Sequence, residues 1–300
     1  MLERATISES GAAMAATQVS AQALTTFQLT TDDRSEALAF LALRPLHTVI
    51  MAGYIRDHGL VSPLNRGSFY GCRDSQGRLK GVALIGHSTL VEARVDAALA
   101  AFARVARQCY PAPHIIIGEQ DEIAQFWSYY SENGQRSRLL RRELLLEQQW
   151  PVEVREEVKG LRRATADDFK LVIPAHARMA FEESGVNPLE VDPMGFRMRC
   201  ERRVEQGRTW VVIEGARLLF KADVVAETPE AIYIEGVYVD PSERGKGYGL
   251  RCVSQLSRIL LEDAASICLL VNEQNRRAQA LYRKAGYKLR AYYDTIFPQR

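Results

Sequence analysis

Arg244-Gly-Lys-Gly-Tyr-Gly249 is the stretch of this chain best suited to chemistry. It follows a β-branched strand, Ile232–Val239, and opens a helical run, Gly247–Asp263. The first N–H groups of a helix have no internal partners, and the helix dipole adds positive charge there. A pyrophosphate placed at that end satisfies both. Gly245, Gly247 and Gly249 let it come close, and Arg244 and Lys246 add formal charge. The pattern is not a Walker A loop, which needs G-x-x-x-x-G-K-[ST]. Nor is it the G-x-G-x-x-G of a dinucleotide fold. Further on, Leu270-Val-Asn272-Glu-Gln-Asn275 and Leu281-Tyr282-Arg-Lys-Ala-Gly286-Tyr287 add a second strand and helix, with asparagines and a tyrosine.

The elements that position these residues occur twice. A helical segment, Ser35–His58, precedes a hairpin at Gly67–Arg73 and Arg78–Ile85; Thr165–Glu183 likewise precedes Arg208–Ile213 and Arg217–Val225. Strand, helix, strand and helix then follow each hairpin. The first copy uses Ser88–Val91, Asp96–Cys109, His114–Gly118 and Asp121–Ser131. The second uses Ile232–Val239, Gly247–Asp263, Ile267–Asn272 and Asn275–Ala285. Duplication explains this order economically. The copies differ at the turn: the first has Glu92-Ala-Arg-Val-Asp-Ala97, with no glycine, so β-carbons would keep a phosphate away. Cofactor binding is therefore expected in the second copy alone.

At 300 residues, two domains are expected. We divide the chain into a flexible tail (1–26), a first domain without the cofactor motif (27–150), a linker (151–159) and a second domain (160–300). The fold class is α/β, each domain a mixed, mostly antiparallel sheet flanked by helices. A net charge of +2 argues against nucleic acid. Arg138, Arg141 and Arg142 are followed by several glutamates and read as a solvated strand edge and linker. The five cysteines are widely spaced without CxxC, and the five histidines are scattered, so neither a disulfide framework nor a metal is expected. Cys252 and Cys268 read as small core residues. No leader or membrane span is legible, and a cytoplasmic location is expected. Either Met1 or Met14 could be the start.

Residues 160–300 resemble the GNAT superfamily of acyl-CoA-dependent N-acyltransferases. The resemblance rests on Gly236-Val-Tyr-Val-Asp-Pro, Arg244-Gly-Lys-Gly-Tyr-Gly249, Val271-Asn-Glu-Gln-Asn275 and Ala280-Leu-Tyr282-Arg-Lys-Ala-Gly286-Tyr287, in that order. The whole chain looks like tandem GNAT proteins with a degenerate first copy. The resemblance implies that Val237, Tyr238 and Val239 pair with the pantetheine arm of acetyl-CoA (or another short acyl-CoA). A main-chain N–H of that strand would stabilise the oxyanion. Arg244, Gly245, Lys246, Gly247, Tyr248 and Gly249 would cradle the pyrophosphate. Asn275 would hydrogen-bond the cofactor, and Tyr282 would protonate the departing thiolate.

The acceptor amine must be neutral to attack, so a carboxylate base is expected. Glu235 is the first choice; Glu182 and Glu183, where such folds build the acceptor site, and Asp223 are the others. The expected activity is transfer of an acetyl group to a primary amine of a small molecule or peptide, in a ternary complex. The alternative is a non-catalytic acyl-CoA-binding regulatory or interaction protein. No membrane partner is expected, and either a monomer or a homodimer fits the sequence.

Overall fold

The computed structural model describes residues 24–153 and 156–299. In the first half the strands are β1 (Thr25–Gln28), β2 (Gly67–Arg73), β3 (Leu79–Gly86), β4 (Ser88–Ala93), β5 (Ile115–Glu119) and β6 (Ser137–Gln148). Its helices are α1 (Arg34–Leu41), α2 (Pro45–His58), α3 (Asp96–Gln108) and α4 (Gln120–Tyr130). The second half repeats the order with β7 (Arg162–Arg163), α5 (Phe169–Ser184), α6 (Pro188–Val191), α7 (Pro193–Glu205), β8 (Thr209–Glu214) and β9 (Arg217–Glu227). It continues through β10 (Ile232–Val239), α8 (Tyr248–Leu260), β11 (Ile267–Asn272), α9 (Arg276–Lys284) and β12 (Lys288–Pro298). The tail expected over 1–26 falls outside the described residues up to residue 23; beyond it, Thr25 and Thr26 already pair with Arg73 and Cys72 in the sheet.

The fold class is as the sequence implies, with an added feature. The two halves share one twelve-stranded sheet, ordered β1-β2-β3-β4-β5-β12-β6-β11-β10-β9-β8-β7. Each half gives its last strand to the other. β6 lies between β12 and β11, and β12 lies between β5 and β6. The β6–β12 pairing runs antiparallel over most of both strands, with Glu143 opposite Tyr293. Among the described residues, only β4–β5 and β10–β11 are parallel. The stretch Arg138–Glu147 is thus paired on both sides from Glu143 on, while Arg138 and Arg142, paired with β12 alone, stay exposed as the sequence implies. Its charges have partners: Arg138 Nη1 donates to the Ser184 carbonyl and Arg141 Nη1 to that of Glu183, both at 2.9 Å. Glu147 is buried beside Arg290.

This exchange predicts the result of a truncation. Removing residues 1–150 takes away β6 and exposes the inner edges of β11 and β12. The remaining piece is expected to be insoluble or to lose cooperative thermal unfolding. A soluble, cooperatively melting 151–300 fragment would contradict this.

The second half builds its core on two sides of the sheet. α8 and α9 cover one face, where Tyr248, Cys252, Val253, Leu256 and Tyr282 pack with Phe220, Val224, Ile232 and Leu269. α5 covers the other with Val172 and Ala175 against Val211. α8 has the strong amphipathic spacing expected of such a helix. α2 reaches across from the first half. A β-carbon at Gly53 would come within 2.7 Å of the Ala226 side chain, so glycine there lets α2 sit on β9. Asp57 pairs bidentately with Arg208.

Candidate active site

β10 and β11 pair only at Ile232–Ile267 and Tyr233–Cys268. Beyond that β10 has no strand partner on its β11 side, and a slot opens between the two. On its other side β10 carries a β-bulge: Glu235 faces Asp223 and Tyr238 faces Lys221, leaving two residues of β10 opposite one of β9. Gly236, in the bulge, has φ +61°, a conformation L side chains rarely adopt. Val237, Tyr238 and Val239, expected to meet a pantetheine arm, line this unpaired stretch and are half-buried.

The glycine turn lies where β10 leads into α8. Gly247 is the N-cap of α8, at φ +79°, and no side chain caps the helix. Gly245 is at φ +81°. A β-carbon on either would point into open space. Arg244 and Lys246 are exposed, the first donating from Nε to the Val239 carbonyl at 2.9 Å. The turn has what a bound pyrophosphate needs: uncapped N–H groups, open backbone and positive charge.

The last two residues of the turn face the core. Tyr248 is buried in the core under α8, with its hydroxyl unpartnered, so only its backbone can face a phosphate. Gly249 serves packing: a β-carbon there would lie 2.9 Å from Val239 Cγ2 and 3.0 Å from Leu281 Cδ1. The two glycine variants should therefore differ. Gly249→Ala is expected to lower stability by about 1–3 kcal/mol through overpacking. Gly247→Ala, strained by its positive φ, should cost about 1 kcal/mol and chiefly weaken cofactor binding. Thermal melts beside calorimetric titrations with acetyl-CoA separate them; equal effects of both variants on both measurements would contradict this.

Asn275 is the N-cap of α9, its Oδ1 accepting from the Ala278 N–H at 3.1 Å, and its amide N–H groups remain available. Tyr282, on α9, is buried, with its ring edge-to-face on Tyr287 at 5.6 Å. Burial, with the nearby Glu183 charge, raises its phenol well above the usual range. Its hydroxyl makes no hydrogen bond within the protein among the described residues.

Across the sheet from α8 lies a group of charges. Asp223 accepts from His176 Nδ1 (3.1 Å), Arg203 Nη1 (3.0 Å), Thr209 Oγ1 (2.8 Å) and, very closely, Lys221 Nζ. Burial alone would push its carboxyl up. The Lys221 and Arg203 charges and the His176 hydrogen bond outweigh this and hold it well below the carboxylate range. A carboxylate so engaged is a poor proton acceptor, which removes Asp223 as a base. Glu235 approaches the same Arg203 at 3.4 Å. Tyr54 of α2 lies within electrostatic reach of both.

Glu183, at the end of α5, is exposed over its surface as a whole, like Glu182, while neighbouring segments crowd its carboxyl. Crowding around its carboxyl and the like charges of Glu235 and Glu143 act together, and push it up to about 7. Glu143, from the exchanged β6, accepts from Thr295 Oγ1 at 2.5 Å, and burial raises its carboxyl too. Glu182 is exposed. Sequence reasoning missed Glu143, Arg141 and Tyr54, which reach this site only through the pairing of the two halves. It also missed α7 and its Arg203. Asp192-Pro193, an N-cap followed by proline at N1, was the available signal.

The equivalent region of the first half is filled. Glu122 of α4 accepts the Ala93 N–H at 2.9 Å, at the end of β4. Glu92 is buried between Arg44 and Arg94. His47 Nδ1 meets the Tyr293 hydroxyl at 3.0 Å. The space left beside them is about 30 Å³, room for a water and not for a cofactor arm.

The second half joins a splayed parallel pair, a bulged strand and a glycine-led helix, and the first half repeats its order of elements without the glycines. Residues 184–287 match the family model described as "Acetyltransferase (GNAT) family", so the second half carries a GNAT domain, of the acyl-CoA-dependent N-acyltransferase kind. Solved structures share the whole architecture. A GNAT-family acetyltransferase from Colwellia psychrerythraea is 13% identical, with TM-score 0.58 over 93% of this chain and 100% of that one. A tandem GNAT protein from the clavulanic acid biosynthesis pathway is 15% identical, with TM-score 0.57 over 91% and 98%. A GCN5-related N-acetyltransferase from Sphaerobacter thermophilus is 14% identical, with TM-score 0.55 over 92% and 95%. At such identities the likeness is one of fold. No curated protein matches. Among the described residues no group of His, Cys, Asp or Glu is placed to hold a metal, and no helix is long and apolar enough to cross a membrane.

Proposed function

We propose that this protein transfers an acetyl group from acetyl-CoA to a primary amine, in a ternary complex formed in the second half alone. The observation that carries the reading is the pairing of an open slot beside β10 with an uncapped, glycine-led α8, against the side-chain-filled counterpart in the first half. Val237–Val239 would pair with the pantetheine arm, residues 244–249 would cradle the pyrophosphate, and Asn275 would donate to the cofactor.

The amine would enter from the α5 side of the sheet, walled by α5 and by α2 and β6 of the first half. Glu183 takes the place of Glu235 as our choice of base, because a carboxyl pushed up to about 7 is matched to proton transfer near neutrality. Glu235 would act by holding Glu183 up. Tyr282 would face the leaving thiolate. Its raised phenol is poorly matched to a thiol near 8.5, so hydrogen bonding rather than complete proton transfer is the role we assign. The test is release of free thiol from acetyl-CoA against a panel of primary amines. Amine-dependent release supports the reading. Tight cofactor binding without turnover on any amine favours the non-catalytic alternative.

A further inference from the structure

Lys221, on β9, is fully buried, its side chain 0% exposed. Its ammonium does two things. It pairs with Asp223, and it donates to the Gly236 carbonyl at 3.4 Å. Gly236 is the bulge residue of β10, and its carbonyl belongs to the same peptide unit as the Val237 N–H. The cis bond among the described residues is Tyr110–Pro111, so this peptide is trans. In a trans peptide the N–H points opposite to the carbonyl, here away from Lys221. Lys221 and Asp223 lie on the α5 face, while the alternate residues Phe220, Ala222 and Val224 pack towards α8.

We propose that Lys221 is a positioning residue that polarises the Gly236–Val237 peptide, so that the Val237 N–H binds the thioester oxygen more strongly as that oxygen gains negative charge. A cation on the carbonyl draws electron density from the amide, which makes the N–H a stronger donor. At 3.4 Å the contact is long for a hydrogen bond, so a charge–dipole interaction carries the effect, and it is strengthened by the dry surroundings. Asp223 fixes the ammonium in place, and Arg203, His176 and Thr209 in turn hold Asp223 by donating to it. Gly236 is required by the same arrangement: a β-carbon there would lie 3.0 Å from both Lys221 Nζ and Asp223 Oδ2.

The proposal rests on the acetyltransferase reading, and the experiment separates the two. Lys221→Met is compared with the full-length wild type in three measurements: the Kd for acetyl-CoA, kcat at saturating amine, and the infrared carbonyl stretch of bound ¹³C-acetyl-CoA without acceptor. The expected result is a Kd within about threefold, kcat lower by about 10-fold or more, and a carbonyl stretch moved towards that of free acetyl-CoA. A variant with wild-type kcat, or with an unmoved carbonyl stretch, overturns the proposal. If Lys221→Met does not fold, Lys221→Gln is used; it keeps a donor without the charge, and its stretch should lie between the two extremes. A Gln variant indistinguishable from wild type overturns it equally. A wild type that neither binds nor turns over acetyl-CoA would instead remove the acetyltransferase reading.

Discussion

Asp223→Ala is expected to lower the stability of the protein by about 3–5 kcal/mol. The carboxylate is 1% exposed and has Lys221, Arg203, His176 and Thr209 around it. Its removal leaves a fully buried ammonium without its anion, and Arg203 with only the more exposed Glu235. An uncompensated buried charge costs far more than the net worth of the pair it came from. Lys221→Met should cost much less, because Asp223 keeps three other partners. Urea denaturation of the variants checks this order. A loss below about 1 kcal/mol for Asp223→Ala, or a larger loss for Lys221→Met, would contradict the account.

Glu183→Gln is expected to lower kcat by about 10²–10³-fold and to abolish the rise of activity with pH. The sign follows from the direction of the shift. A base with its carboxyl pushed up to about 7 is protonated and idle below that pH and active above it, so wild-type kcat/KM should climb through pH 7. Glu235→Gln should act differently. Glu235 helps to hold Glu183 up, so its neutralisation should move the rising limb to lower pH while most of the rate survives. A pH–rate series on both variants decides between the two carboxylates. The reverse pattern, Glu235→Gln inactive and Glu183→Gln shifted, would make Glu235 the base.

Much of this fold was legible because its signals are local. Arg244–Gly249 announces a helix start that needs positive φ and open backbone, and Gly245 and Gly247 have both. The repeated order of hairpin, strand and helix is written in periodicity. What was not legible depends on partners far away in sequence. β6 pairs with β11 and β12, so Arg141 and Glu143 gain neighbours from residues 267–298 that no local pattern reveals. Tyr248 was read with the turn it follows, but a helix places its first side chains by the angle at which it packs, and here that angle buries the ring. Lys221-Ala-Asp223 had the spacing that puts two side chains on one face of a strand. Their burial, and their contact with the bulge, required the α5 layer to be seen.

The central claim is that one half of this pseudo-symmetric sheet binds acetyl-CoA and the other does not. Calorimetric titration of the full chain with acetyl-CoA measures this directly. The account predicts one binding site per chain, weakened by Gly247→Ala and unaffected by changes at Glu122 of the first half. No heat of binding at millimolar acetyl-CoA, or two sites per chain, would contradict it.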